Sequence, residues 1–205
     1  MRLIKMKRII LIIFLGSITN TIAQSSDKIK SIEEFQVQIN ADFKNPEESP
    51  LSAIDLMNFE GLEFFDIDTS FVLTAQFVRT PAEAPFLMPT TTDRKPVYVK
   101  YGEVYFQLKS KTIKLNIYQN QDLIKKPEYV DYLFLPFTDK TNGETTYSGG
   151  RYLDIRIPEG DSIILDFNKA YNPYCAYNHA YSCPIPPSEN NLPVSIPAGV
   201  KVYKN

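Results

Sequence analysis

Asp154 and Asp166 are the residues of this chain whose types and spacing first suggest chemistry. They fall in two runs of alternating hydrophobicity, Tyr152 to Ile157 and Ser162 to Asn168, parted by Pro158-Glu159-Gly160-Asp161. Read as a hairpin, the runs put Leu153, Ile155 and Ile157 on one face with Ile163, Leu165 and Phe167. The other face collects Tyr152, Asp154, Arg156, Ile164, Asp166 and Asn168. Pairing Ile157 with Ile163 sets Asp154 directly opposite Asp166. Two carboxylates that close repel unless a cation, a shared proton or an arginine intervenes, which is how metal sites and acid pairs are built. The competing reading is a solvated outer face neutralised by Arg151 or Arg156.

Cys175 and Cys183, with His179 midway, form a second constellation. Three ligands at four-residue intervals match no common zinc spacing. In an oxidising compartment two cysteines flanking a short loop form a disulfide, which would stabilise the fold by roughly 2–3 kcal/mol. Free thiols and metal ligation stay open beside it. A third cluster is Gly149-Gly150-Arg151, where the glycines allow close approach of a ligand and Arg151 could clamp a carboxylate or phosphate. The bland counterpart is a loop glycine pair with Arg151 bonded to Asp154 or Asp166. Serine catalysis needs a histidine and a nucleophile elbow; His179 is the one histidine and no G-x-S-x-G is present. No catalytic residue, cofactor or metal is therefore assigned.

The elements that must position these groups read as follows. Ile32, Phe35, Ile39 and Phe43 recur at helical spacing, with Ser31 and Glu34 as a capping box and Pro46 as the stop. A shorter helix follows, with Ser52 and Asp55 at its start, Leu51 able to staple onto Leu56, and Gly61 beyond its end. After Phe64 the period becomes two. Strands are expected over 71–79, over 97–108 as two pieces broken near Gly102, around Ile113, Leu115 and Ile117, and over 131–137, 152–157 and 162–168. Short strands joined by turns, with no helices between them, favour a mainly antiparallel β sandwich or partly open barrel. Beyond Asn172 the prolines 173, 184, 186, 187, 193 and 197 forbid continuous ladder pairing and force an extended path held by side chains.

Thirteen Tyr, thirteen Phe and a net charge of −2 describe a globular, aromatic-rich chain. The near balance of charge lacks the basic footprint that nucleic acid requires. Arg2, Lys5, Lys7 and Arg8 precede the apolar run Ile9 to Gly16, and Thr21-Ile22-Ala23 ends in small residues, which is the pattern of a cleaved export signal. The run is short for a membrane span. The expected division is 1–23 signal, 24–28 flexible linker and 29–205 one β-rich domain, periplasmic or secreted, with no stable membrane insertion after cleavage.

Three segments, "FVRTPAEAPFLMPTTT", "YLFLPFTDKTNGETTYSGGRYLDIRIPEG" and "LDFNKAYNPYCAYNHAYSCPIPPSENNLPVSIPAGVK", resemble the bacterial proteins carrying domain of unknown function 1684. The resemblance points to Gly150, Arg151, Asp154, Asp166, Asn168, Tyr171, Asn172, Pro173, Cys175, Cys183, Pro184, Pro187 and Asn190 as pattern positions; His179 falls outside it. The leading expectation is a noncatalytic module holding a small polar ligand between the 149–154 loop and the 166–175 segment, through Gly150, Arg151, Asp154, Asp166, Asn168, Tyr171 and Asn172. Its rivals are an enzyme, either a metal-assisted hydrolase using Asp154 and Asp166 or a thiol enzyme using Cys175, and a structural partner in an envelope complex.

Overall fold

The period-two segments become seven strands in the computed structural model, which describes residues 26–203. The strands are β1 (Val72–Arg79), β2 (Phe86–Leu87), β3 (Val97–Leu108), β4 (Lys111–Asn120), β5 (Tyr132–Phe137), β6 (Arg151–Arg156) and β7 (Ser162–Asp166). The expected signal, its cleavage point and residues 24 and 25 lie outside the described residues. Every ladder is antiparallel, in the order β6-β5-β4-β3-β1-β7, with β2 paired to β3. Strands β6 and β7 are consecutive in the chain, joined only by residues 157–161, yet they stand at opposite ends of that order. The sheet must curl to bring both edges to one short connection, and the result is the expected partly open barrel.

That curl overturns the hairpin expected over Tyr152 to Asn168. Strand β6 pairs with β5, setting Asp154 opposite Phe134, and β7 pairs with β1, setting Asp166 opposite Val72. Alternation specifies which face of a strand is buried, not which neighbour it takes. The stretch 97–108 is likewise one strand, not two. Its interruption is a bulge between Lys100 and Gly102, where a Cβ on Gly102 would meet the Phe77 ring at 2.5 Å. At the β3–β4 hairpin, Lys109 and Ser110 both take positive φ (49° and 63°), the two-residue turn that matches strand twist.

The barrel interior is mostly apolar, filled by Leu115 and Ile117 of β4, Leu133 and Leu135 of β5, Leu153 of β6 and Leu165 of β7. Leu192, Ile196 and Ala198 from the proline-rich tail pack into the same core and close its open side. Strand β4 is buried on both faces, because Asn116 and Tyr118 are covered as well as Ile113, Leu115 and Ile117. A second aromatic layer, Tyr98, Tyr118, Phe134 and Tyr152 with Met88, therefore lies across the sheet from the barrel interior.

Helix α1 covers residues 26–44, so residues 26–28, expected as linker, are helical. Ser31 is interior to it and caps nothing; its Oγ instead accepts from Lys169 Nζ at 2.7 Å, tying the helix to the tail. Ile32 and Phe43 are buried as their spacing predicts. Helix α2 (Ala53–Met57) has the expected Ser52 N-cap, with Asp55 N–H donating to Ser52 Oγ and Ser52 Oγ donating to Asp55 Oδ2 at 2.6 Å. It ends at Asn58, before Gly61. Among the described residues no helix is long and apolar enough to cross a membrane.

Candidate functional site

Parity along β6 separates the residues that the sequence reading had grouped. Phe137, Leu135 and Leu133 of β5 lie opposite Arg151, Leu153 and Ile155, and all face the barrel interior. Pro136, Phe134 and Tyr132 lie opposite Tyr152, Asp154 and Arg156 on the other face. Residues three apart on a strand point to opposite faces, so Arg151 and Asp154 cannot serve one ligand.

Arg151 is fully buried and holds the tail. Its Nη2 donates to Asp139 Oδ2 and to Ile196 O, both at 2.8 Å, and its Nη1 donates to Ala198 O. Burial pulls the guanidinium below its ordinary value, while Asp139 opposes that shift and keeps it charged. Gly150 sits at φ +91°, where a Cβ would lie 2.6 Å from Phe137 O and 2.8 Å from Pro186 Cγ, so its need for glycine is backbone packing. Asp166 accepts from Asn168 N–H at 3.0 Å; Asn168 in turn exchanges two hydrogen bonds of 3.0 Å with the backbone of Asp68. Asn172 Nδ2 donates to Lys201 O at 2.8 Å. These five expected ligand residues serve the backbone, each satisfying or accommodating groups that the prolines and turns leave unpaired. Asp154 and Asp166 do not converge, which removes the geometric basis for a metal-assisted hydrolase at that pair.

Asp154 and Tyr171 do reach a common cavity. The tail folds back beside β6, with Tyr152 and Tyr171 exchanging backbone hydrogen bonds of 2.9 and 3.1 Å. Residues 181–185 run on past 89–92, where Thr91 N–H donates to Cys183 O at 2.9 Å and Ile185 N–H donates to Pro89 O at 2.9 Å. Between this segment, α1 and the aromatic layer lies a cavity of about 440 Å³, within the size range of small-molecule sites. Its walls include Tyr98, Tyr132, Phe134, Tyr152, Tyr171, Tyr174 and Tyr181, with Phe35, Gln38, Ile39, Asp42 and Phe43 from α1. The rings lock one another edge to face: Phe134 and Tyr152 lie 4.7 Å apart at 74°, and Tyr152 and Tyr171 5.9 Å apart at 89°.

Asp154 lines this cavity, held by two phenols. Tyr132 Oη donates to its Oδ1 at 2.7 Å and Tyr171 Oη donates to the same oxygen at 2.6 Å. Water reaches the carboxyl through the cavity, but the aromatic enclosure pushes its pKa above the ordinary carboxylate value; the hydrogen bonds from Tyr171 and Tyr132 and the charge of Arg156 pull the other way. The same enclosure pushes both phenols well above theirs, so they remain donors. The sequence reading does not single out the tyrosines at 98, 132, 152, 174 and 181 or Phe134 as a site. The available signal was the placement of Tyr152 with Asp154 on one strand face, together with the abundance of tyrosine.

Cys175 and Cys183 are buried, unbonded thiols lying against each other, with Cys175 N–H donating to Cys183 Sγ at 3.1 Å. Donation from Cys183 holds the Cys175 thiol below the ordinary thiol value, and Tyr147 Oη, 3.8 Å from its sulfur, acts in the same direction. Cys183 also lines the cavity. His179 is exposed and hydrogen-bonds to neither sulfur. Among the described residues no group of three or more His, Cys, Asp or Glu is placed to hold a metal ion.

The fold is similar to that of an uncharacterized protein from Haloarcula marismortui solved by solution NMR, with a TM-score of 0.68 and 29% sequence identity over 87% of this chain and 96% of that one. No curated protein matches the chain. The family model described as "Protein of unknown function (DUF1684)" matches residues 57–201, a span that contains all seven strands and the cavity floor but not α1. The chain therefore belongs to the DUF1684 family.

Proposed function

We propose that the protein is an exported, noncatalytic module that binds a small molecule in the cavity between α1, the aromatic layer and the 171–184 segment. The observation that carries this reading is Asp154, a carboxylate presented inside an aromatic-walled cavity with one oxygen fixed by two phenols. Such a combination, mostly apolar walls with few convergent polar groups, is what small-molecule sites are made of. The noncatalytic reading is supported by the lining itself, which among the described residues offers no nucleophile paired with a base: Cys183 is engaged by its neighbour Cys175, and His179 lies elsewhere.

The test is thermal shift of the mature domain against compounds of positive, negative and zero charge. At least one class raises the melting temperature, and Gln38→Trp, which plugs the mouth from an exposed helix position, abolishes the rise. A flat response from every class would sink the binding reading.

Export and a Cys175–Cys183 disulfide complete the same reading. The support is the basic-then-apolar order of residues 2–16 ahead of Ala23, and the adjacency of the two thiols. Pairing joins the two sulfurs, releases two protons and passes two electrons to a thiol oxidant of the envelope. The expected intact mass of the exported protein begins at Gln24 and lacks two hydrogens relative to the reduced chain. Reduction then lowers stability by about 2–3 kcal/mol. A mass that retains residues 1–23 rejects export with cleavage, and two free thiols in that material reject the disulfide.

A further inference from the structure

We propose that the ligand is an organic cation, a quaternary or substituted ammonium group seated against Asp154 with its apolar body along the tyrosine rings; this rests on the cavity being a binding site. Three features of the cavity point to that charge.

The first is an unmatched carboxylate. Both phenols address Oδ1 of Asp154, and Oδ2 accepts no hydrogen bond among the described residues. Among the described residues no lysine, arginine or histidine is within salt-bridge distance of Asp154. Arg156, two residues along β6, is committed to Asp131 at 2.6 Å. Water meets this carboxyl in the open cavity, so a ligand that displaces that water must itself supply the countercharge, because a desolvated carboxylate without one is costly.

The second is the sign of the lining. Among the described residues Asp154 and Asp42 are its only charged ones, and no cationic side chain lines the cavity. A ligand that carries a carboxylate or phosphate would meet only repulsion here. Three of the six phenols are also committed: Tyr132 and Tyr171 donate to Asp154, and Tyr152 Oη donates to Pro184 O.

The third is the density of π systems. Ring faces attract cations through their quadrupole, and the attraction grows as the site dries, which is how aromatic cages retain quaternary ammonium groups that form no hydrogen bond of their own. An ammonium carrying only a neutral body therefore fits better than a zwitterion.

The experiment measures affinity of the full mature protein by calorimetry for choline and benzyltrimethylammonium. It adds 3,3-dimethylbutanol, the neutral isostere of choline, and betaine and phosphocholine, which carry an added anion. The ammonium compounds bind, with the neutral isostere and both zwitterions at least tenfold weaker. Asp154→Asn, whose amide oxygen still accepts from both phenols, keeps the melting temperature and loses at least tenfold in choline affinity. Equal binding of choline and its neutral isostere, or an unchanged choline affinity in Asp154→Asn, overturns the cation assignment. Stabilisation only by neutral or anionic compounds, lost in Gln38→Trp, overturns it too while leaving the cavity a binding site. Silence from compounds of every charge removes both readings.

Discussion

Arg151→Ala lowers the unfolding free energy by about 3–5 kcal/mol, measured by urea denaturation. The size follows from what the substitution leaves behind. Asp139 is fully buried beside the guanidinium, and its Oδ1 accepts from Thr141 N–H and Thr141 Oγ at 2.8 and 2.6 Å and from Ile196 N–H at 3.2 Å. Without Arg151 a buried carboxylate loses its countercharge, and the carbonyls of Ile196 and Ala198 lose their donor. Lysine is no rescue, because one ammonium cannot reproduce a planar fork that reaches three acceptors. Replacing both partners by apolar residues, Arg151→Met with Asp139→Leu, recovers part of the loss, since no uncompensated charge remains. A single-variant loss below about 1 kcal/mol would show that the pair does not pin the tail.

The second large effect is expected at Asn190. Its Oδ1 accepts from Asn116 N–H at 2.8 Å, and its Nδ2 donates to Asn116 O at 2.8 Å and Pro136 O at 2.7 Å. Strands β4 and β5 are matched only at Tyr118 and Phe134, so this side chain from the tail stands in for ladder bonds that the two strands do not exchange. Asn190→Leu strands three buried backbone groups, and about 3 kcal/mol is lost on the scale of roughly 1 kcal/mol or more per orphaned group. Hydrogen exchange locates the damage: protection of the Asn116 amide collapses before that of β1 or β3. Uniform loss across the sheet would contradict this local role.

Both effects explain why the proline-rich segment carries so many polar residues. Prolines cannot donate to a ladder, and an extended tail crossing a barrel must be tied by side chains instead. Asn168 and Asn172 do this for neighbouring turns, as Asn190 does for the sheet. Density of Asp, Asn and Tyr in such a stretch is therefore mixed in meaning. Most of it satisfies backbone, and only the residues whose side chains leave the chain path, here Tyr171, Tyr174 and Tyr181, line a cavity.

Part of the site was readable from the chain. Alternation in β6 placed Tyr152, Asp154 and Arg156 on one face, and that face does carry the cavity floor. Extended by one residue toward the N-terminus, the same alternation puts Arg151 beside Leu153 on the apolar face, where it is found. Treating Arg151 as loop hid this, because the glycines before it disguise where the strand begins.

The amino-acid order by itself determined local character: strands where apolar residues alternate, the Ser52 cap of α2, an antiparallel barrel in place of a parallel sheet, and a tail that prolines keep out of the ladders. These depend on neighbours in the chain, whose chemistry is written there. The partners were decided only by the closed sheet. Strands β6 and β7, adjacent in sequence, part to opposite edges, and β5, β6, the tail and α1, distant in sequence, converge around Asp154. Alternation carries one bit per residue, inside or outside, and many pairings satisfy it; the one realised is the one that buries the barrel interior and satisfies the tail's backbone together.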